Sequence, residues 1–322
     1  MSDRSKAKVA FLDQTSWAEW AQSPIAQDAS ARSYTRLSHK GESVILMDAA
    51  PEAGEDVGPF IRITKELQKM QLAPPRILAR DDGQGFLILE DLGNTDFAKA
   101  IHANPACAIE LYRAAADVLI HISQQAAPNL HALDAATAGD MVRITAEHYA
   151  QTPALADDLS ASITTMFQDH CQATPTLALR DFHAENLIWR PDKTGLQRVG
   201  LLDFQDAFIA PDGYDLASLL RDARRDIDAN LADNILGYVA DQTGEPHDQL
   251  TLRIRGLAIQ RNLRILGVFA RLIRVHGKTR YAAMLPRVWR YINQDLDHPA
   301  FSDLHKLVSD GLPAPSAFEA ST

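Results

Sequence analysis

The chain has 322 residues, 46% of them apolar and 23% charged, with a formal net charge of −10. That length supports one large domain or two lobes with a real core, and the acidic balance argues against a general nucleic-acid binder, which carries a basic footprint. Two cysteines, Cys107 and Cys171, cannot build a disulfide framework or a cysteine-based zinc site.

The first predicted elements are strands. "RSYTRLS" (32–38) and "SVILMD" (43–48) flank the polar connection "HKGE", which predicts a β-hairpin. In "VGPFIRITKELQKM" the apolar residues Val57, Phe60, Ile63, Leu67 and Met70 recur at a helical period. "PPRILAR" (74–80) and "GFLILE" (85–90), separated by "DDGQ", predict two further strands, and "EDLGNTD" reads as a hinge. The character then changes. "ACAIELYRAAADVLIHISQQ" carries a helical stripe of Ala108, Leu111, Ala115, Val118 and Ile122, and "LADDLSASITTMFQDH" predicts a second helix. "NLIWRPDKTGLQRVGLLDF" (186–204) predicts a hairpin whose turn holds Pro, Asp and Gly. Residues 213–296 read almost wholly as helix. The last dozen residues, rich in Pro, Ala and Ser, predict a flexible tail.

The expectation is an α+β fold of two lobes: residues 1–91 a small antiparallel sheet plus helix, residues 92–310 a larger helical lobe, residues 311–322 a tail. Local hairpins argue against a doubly wound parallel sheet. The N-terminus has no apolar run of signal-peptide kind, no stretch reaches the ~18 apolar residues of a membrane span, and the cysteine usage fits a reduced cytoplasmic setting.

One stretch carries more chemistry than a hairpin needs. "LALRDFHAENLIW" (177–189) places Asp181, His183, Glu185 and Asn186 between apolar runs, and Asp203 follows in "VGLLDFQDA". Taken singly, each could be a turn residue making local hydrogen bonds. Taken in order, they suit phosphoryl transfer. That reaction needs a carboxylate near the attacking hydroxyl and oxygen ligands for Mg²⁺ on the phosphates. Leu179-Arg180-Asp181 through Asn186, then Asp203-Phe204-Gln205, align with the kinase pattern H-R-D-L-x-x-x-N and D-F-G, with Leu179 in the place of the His.

These stretches resemble the aminoglycoside phosphotransferase and choline kinase-like families, which have a protein-kinase-like fold. "DGYDLASLLRDAR" and "GFLILEDLG" extend the resemblance over roughly residues 25–295. "DASARSYTRL", "ILMDAAPE", "LILEDLG" and "QRNLRILGVFARL" narrow it to the branch containing the anomeric N-acetylmuramate/N-acetylglucosamine kinase of peptidoglycan recycling. The resemblance implies an ATP- and Mg²⁺-dependent kinase acting on a small-molecule hydroxyl, expected to be that of a cell-wall amino sugar, with no obligate protein partner; an aminoglycoside or amino-alcohol kinase, or a catalytically weak pseudokinase-like binding module, is the alternative. It implies Asp181 as the base, Asn186 and Asp203 as metal ligands, and Asp215 as the brace of the catalytic loop. It implies that the Glu90 carbonyl and Leu92 amide meet the adenine edge. The turn 28–33, with Ser30, Arg32 and Ser33, would cover the phosphates. Asp206 is a second metal ligand or a substrate contact.

Two departures need replacements. The phosphate loop "QDASARSYTRL" has no glycine, and Met47 stands where the phosphate-binding Lys is expected, so Arg32 or Arg36 is expected to supply the charge. His183 reads as a loop brace, and Glu66 as a solvated helix residue or an ion-pair partner. Residues 252–281 hold seven Arg, one Lys and one His with no Asp or Glu. Within them Arg261 and Arg264, with Arg271 and Arg274, are either a solvated basic flank or an anion-binding wall for the acceptor.

Overall fold

The computed structural model describes residues 3–25 and 32–319. A helix, α1 (Asp3–Leu12), leads into β1 (Ala21–Ile25), β2 (Ser33–His39) and β3 (Glu42–Asp48). The β2–β3 hairpin closes through Lys40 and Gly41, at φ of 49° and 85°, with His39 opposite Glu42. Two successive positive φ values give a two-residue loop whose twist matches that of the flanking strands. Then come α2 (Gly58–Lys69), begun by a Pro in its first turn, β4 (Ile77–Asp81), β5 (Phe86–Glu90) and α3 (Phe97–Ala103). The five strands form one antiparallel sheet in the order β1-β2-β3-β5-β4. Strand β1 contains Pro24, which an edge strand tolerates because no ladder bond is needed from it.

The sheet's alternation sorts its core. Leu37, Val44, Leu46, Phe86 and Ile88 pack with Phe11 and Leu12 of α1. Met47, next to Leu46, points to the opposite face and is fully buried. Neither α1 nor β1 was expected from the sequence. The α1 segment has only a weak apolar stripe, and its helix is fixed by the two residues that cover the sheet.

The chain continues into α4 (Ala108–Ser123), α5 (Ala135–Asp140), a π-helical turn (Thr145–Ala150), α6 (Leu155–His170) and β6 (Pro175–Ala178). It then forms the short hairpin β7 (Leu187–Trp189) and β8 (Val199–Leu201), followed by β9 (Phe208–Pro211), which pairs with β6. Helices α7 (Tyr214–Leu220), α8 (Ala229–Thr243), α9 (His247–Arg274), α10 (Leu285–Leu296), α11 (Ser302–Gly311) and α12 (Pro315–Glu319) complete it.

These elements form two compact units. One is Met1–Ala103 with Glu185–Asp206; the other is Asn104–Ala184 with Ala207–Thr322. The boundary therefore falls inside the polar loop, between Ala184 and Glu185. Within the second unit α9 is the central element, buried at Leu250, Ile254, Leu257, Leu263, Leu266, Ala270 and Ile273. Gly267 lets the π-helical turn approach: a Cβ there would lie 2.6 Å from the Thr145 nitrogen.

The segment expected to be a loose tail is partly ordered. Residues 315–319 form α12, and Phe318 stacks on Tyr149 with ring centroids 5.1 Å apart. The Tyr149 hydroxyl donates to the Pro313 carbonyl at 2.8 Å. A Pro- and Ala-rich composition hid two residues, Leu312 and Phe318, that find apolar cover. No helix among the described residues is long and apolar enough to cross a membrane.

Candidate active site

The second unit holds the Asp181 end of the loop. After β6 the chain turns sharply at Leu179–Asp181. Arg180 adopts φ 75°, and the Asp181 amide donates to the Leu179 carbonyl at 2.9 Å. Asp215 on α7 fastens this turn. Its carboxylate accepts the Leu179 amide at 2.5 Å and the Arg180 amide at 3.0 Å. Burial pushes the Asp215 pKa up to about 6; the two amides and Arg261 pull it down, and the Asp181 charge adds to the rise. His183 is buried beside them, and its pKa lies well below the ordinary value because of burial and the charges of Arg224 and Arg261. At neutral pH it is an uncharged imidazole, suited to bracing rather than to proton transfer.

Arg261 is held by α7. Its guanidinium donates to the Ser218 hydroxyl at 2.6 Å and lies over the Tyr214 ring at 4.6 Å. Arg264, one turn further along α9, has its pKa lowered by burial and by Arg180, then by Arg261; Tyr214 and Asp181 act the other way. Other arginines of the basic segment have different work. Arg253 is bound to Glu245 and to the Asp212 carbonyl, Arg274 lies over the Phe318 ring, and Arg271 is exposed. The local sign reversal around Asp181 therefore comes from Arg261 and Arg264 on α9, with Arg180 on the loop itself.

The first unit holds the other residues of the constellation. In the β7–β8 hairpin Leu187 faces Leu201, and the Leu202 amide donates to the Asn186 carbonyl at 3.0 Å. Asn186 and Asp203 thus leave the same open end of one hairpin. Asp203 is exposed, adopts φ 55°, and accepts a hydrogen bond from the Gln205 side-chain Nε2 at 2.8 Å. Phe204, fully buried, stacks on Phe60 of α2 at 5.0 Å, which anchors the strained Asp203 backbone.

Around this turn lies a second charged group. Arg32 pairs with Glu55 at 2.7 Å. Burial opposes the Arg32 charge, but the Glu55 hydrogen bond and the fields of Tyr34, Glu55 and Asp206 keep its pKa above the ordinary value. Burial raises the Tyr34 hydroxyl to about 12. Arg36 is committed elsewhere, to Asp91 through bonds of 2.6 and 3.1 Å. Glu66 pairs with Lys69 at 2.8 Å, the helix-surface role open to it. The Glu90 side chain meets Arg76 at 2.8 Å and Arg190 at 3.3 Å, and Leu92 is buried. Ser33 is the exposed first residue of β2, while Ser30 and most of the glycine-free turn lie outside the described residues.

The donor set fits a nucleotide-borne Mg²⁺. No group of three or more His, Cys, Asp or Glu is assembled for a metal among the described residues. Magnesium does not need one, because it binds through one or two protein oxygens plus phosphates. Asn186, Asp203 and Asp206 offer hard oxygen donors of that kind. Sequence reasoning missed Arg180, Arg224, Tyr34, Glu55 and Asp91. Only the Arg180 side chain, adjacent to Asp181, had a local signal; the others are brought in by pairing.

A five-stranded sheet with its helix, a hairpin bearing Asn186 and Asp203, and a braced Asp-bearing turn define a kinase-like phosphotransferase. The chain belongs to the phosphotransferase enzyme family known as APH, whose model matches residues 21–250. It is 32% identical to an N-acetylmuramate/N-acetylglucosamine kinase of Caulobacter vibrioides, over 94% of this chain and 95% of that protein. It is 31% identical to the protein of that name in Pseudomonas aeruginosa, over 89% and 87%. Its fold is similar to a choline/ethanolamine kinase family protein from Mesorhizobium loti, with TM-score 0.65, 14% identity, and coverage of 96% and 100%. It is also similar to the GDP complex of aminoglycoside 2'-phosphotransferase-IIIa, with TM-score 0.63, 13% identity, and coverage of 91% and 100%. The expected family and α+β kinase-like fold are thus the ones found.

Proposed function

We propose that this phosphotransferase uses ATP and Mg²⁺ to phosphorylate a cell-wall amino sugar, N-acetylmuramate or N-acetylglucosamine, at the anomeric hydroxyl. The relatives of that specificity, matched along most of the chain, support the sugar. The observation that carries the reading is the charge around Asp181. Arg261 and Arg264 act on Asp181 and its brace Asp215 in a chain whose net charge is −10. A polycationic aminoglycoside or a quaternary amine would be repelled there, whereas a neutral or anionic sugar would be accepted.

In this reading Asp181 orients the acceptor hydroxyl and takes its proton as the oxygen attacks the γ-phosphorus, whose bond to the β,γ-bridging oxygen breaks to release ADP. Asp215 keeps the Asp181 turn in place. Asn186 and Asp203 would hold Mg²⁺, which neutralises phosphate charge, and Arg32 supplies the cation that Met47 cannot. Glu90 and Leu92 offer backbone groups to the adenine edge, and Ser30 and Ser33 flank the phosphates.

The test is ADP release from ATP with N-acetylmuramate, N-acetylglucosamine, kanamycin and choline, with products identified by mass and NMR. Turnover with either amino sugar, giving a 1-phosphate, is expected. Efficient phosphorylation of kanamycin or choline with no reaction on either sugar would overturn the reading.

A further inference from the structure

We propose that Arg180 and Arg264 bind a carboxylate on the acceptor, and so set the preference for an acidic amino sugar over its neutral counterpart. The inference rests on the sugar-kinase reading above and deepens it.

The first observation is conformational. Arg180 sits at φ 75°, in the left-handed region that a side chain with a Cβ adopts only with strain. A glycine would serve the backbone there at no steric cost. The turn is nevertheless held in this shape by Asp215, through the Leu179 and Arg180 amides. The residue next to Asp181 thus carries a guanidinium at a backbone position that glycine would suit better.

The second observation is the partner across from it. Arg261 is fixed on α7 by Ser218 and Tyr214, and α7 also carries Asp215. One rigid helix therefore positions both the loop and the start of the arginine row on α9. Arg264 follows Arg261 by three residues and is close enough to Arg180 for their charges to oppose each other. The groups around Arg264 besides Arg180 are Arg261, Tyr214 and Asp181, and Asp215 holds the Arg180 amide. Like charges gathered on two rigid elements favour an anion between them.

The third point is chemical. Two guanidinium forks beside the residue assigned to the acceptor hydroxyl meet the acceptor molecule, and their planar donors suit a carboxylate. N-acetylmuramate is N-acetylglucosamine with a lactyl ether added, so the two sugars differ by the group this pair would recognise. Discrimination arises because a site built for a charged group loses those bonds when the group is absent.

The experiment compares kcat/KM for N-acetylmuramate, its methyl ester and N-acetylglucosamine in the wild type and in Arg264→Ala, Arg264→Lys and Arg180→Gly. Wild type should favour the acid over the ester. Arg264→Ala should lower the ratio of acid to neutral sugar by about 10–100-fold, the range for a lost charge-assisted bond. Arg264→Lys should give an intermediate ratio. Arg180→Gly, which suits the backbone, should lower the ratio without lowering Tm. An unchanged ratio in folded Arg264→Ala and Arg180→Gly, with both sugars still turned over by the wild type, overturns this inference and leaves the sugar-kinase reading standing. A raised KM for ATP with an unchanged ratio also overturns it, by assigning the pair to nucleotide phosphate. Wild-type inactivity on both sugars removes the two together.

Discussion

Asp215, 4% exposed, accepts the Leu179 backbone amide at 2.5 Å and so ties α7 to the turn that precedes Asp181. Its second oxygen takes the Arg180 amide. Two acceptor oxygens meet two donors, and a buried carboxylate is the side chain that satisfies both.

Asp215→Asn supplies one acceptor and two donors, leaving one amide facing an NH₂ group. It should lower kcat with little change in KM for ATP. The pH dependence has a definite sign. The folded pKa of about 6 is raised from 3.8. The Asp215 contribution to stability is therefore fully present below pH 3.8 and is lost as pH rises through about 6. The stability difference between wild type and Asp215→Asn should fall over that window, by on the order of 3 kcal/mol. Denaturant titrations of both proteins from pH 4 to 7 check it; a difference independent of pH would refute the assignment.

Asp181→Asn should retain fold and nucleotide binding but lose turnover by about 10²–10⁴-fold, the usual contribution of a positioned acid–base group. Steady-state rates beside a thermal melt decide the point. Near-normal activity rules out Asp181 as the base.

Asp203→Ala removes an exposed anionic oxygen from the hairpin end it shares with Asn186. Thermal stabilisation by MgATP should shrink, while the melt without nucleotide changes little, because Phe204 still anchors the turn on Phe60. Equal MgATP stabilisation in both proteins would eliminate the metal role.

Arg32 and Arg36 should separate. Arg32→Ala is expected to raise the KM for ATP, since Arg32 shares its surroundings with Asp206 and Glu55. Arg36→Ala should chiefly lower Tm, because it leaves the Asp91 carboxylate, 6% exposed, without its bidentate partner. Kinetics and melts on the two single variants distinguish them; the reverse pattern would reassign the phosphate cation.

Arg221 and Asp295 form a buried bidentate pair with bonds of 2.9 and 2.7 Å, and Asp295 has no exposure. Asp295→Ala should destabilise by about 3–5 kcal/mol, because it strands a buried guanidinium. The double change Arg221→Met with Asp295→Leu should cost much less. Chemical denaturation measures both, and equal losses would argue against a stranded charge as the cause.

Much of the fold was readable because hairpins and amphipathic helices are local. The β2–β3 turn at Lys40–Gly41, the apolar stripe of α2 and the β7–β8 turn are set by neighbours in the chain. Strand β1 and helices α1 and α12 were not readable. Each is short or weakly patterned, and each is fixed by distant cover: Leu37 and Phe86 for α1, Tyr149 for α12.

The candidate site divides in the same way. Asp181, Asn186 and Asp203 were nominated by their order in a kinase-like pattern and Asp215 by the family resemblance, and the Leu179 and Arg180 amides do donate to Asp215. The sequence by itself also determined the family, the sign of the charge in the α9 segment and the absence of a Lys at Met47. Only the tertiary structure separated the arginines by their partners. Seven look alike along residues 252–281, yet Arg253 is taken by Glu245, Arg274 lies over Phe318, and Arg261 and Arg264 act on the Asp181 turn. Likewise Arg36 is held by Asp91 and Arg32 stands near Asp206. A guanidinium is charged wherever it occurs in the chain. What it does depends on which carboxylate, ring or carbonyl the packing brings within hydrogen-bond reach, and those partners come from residues far away in sequence.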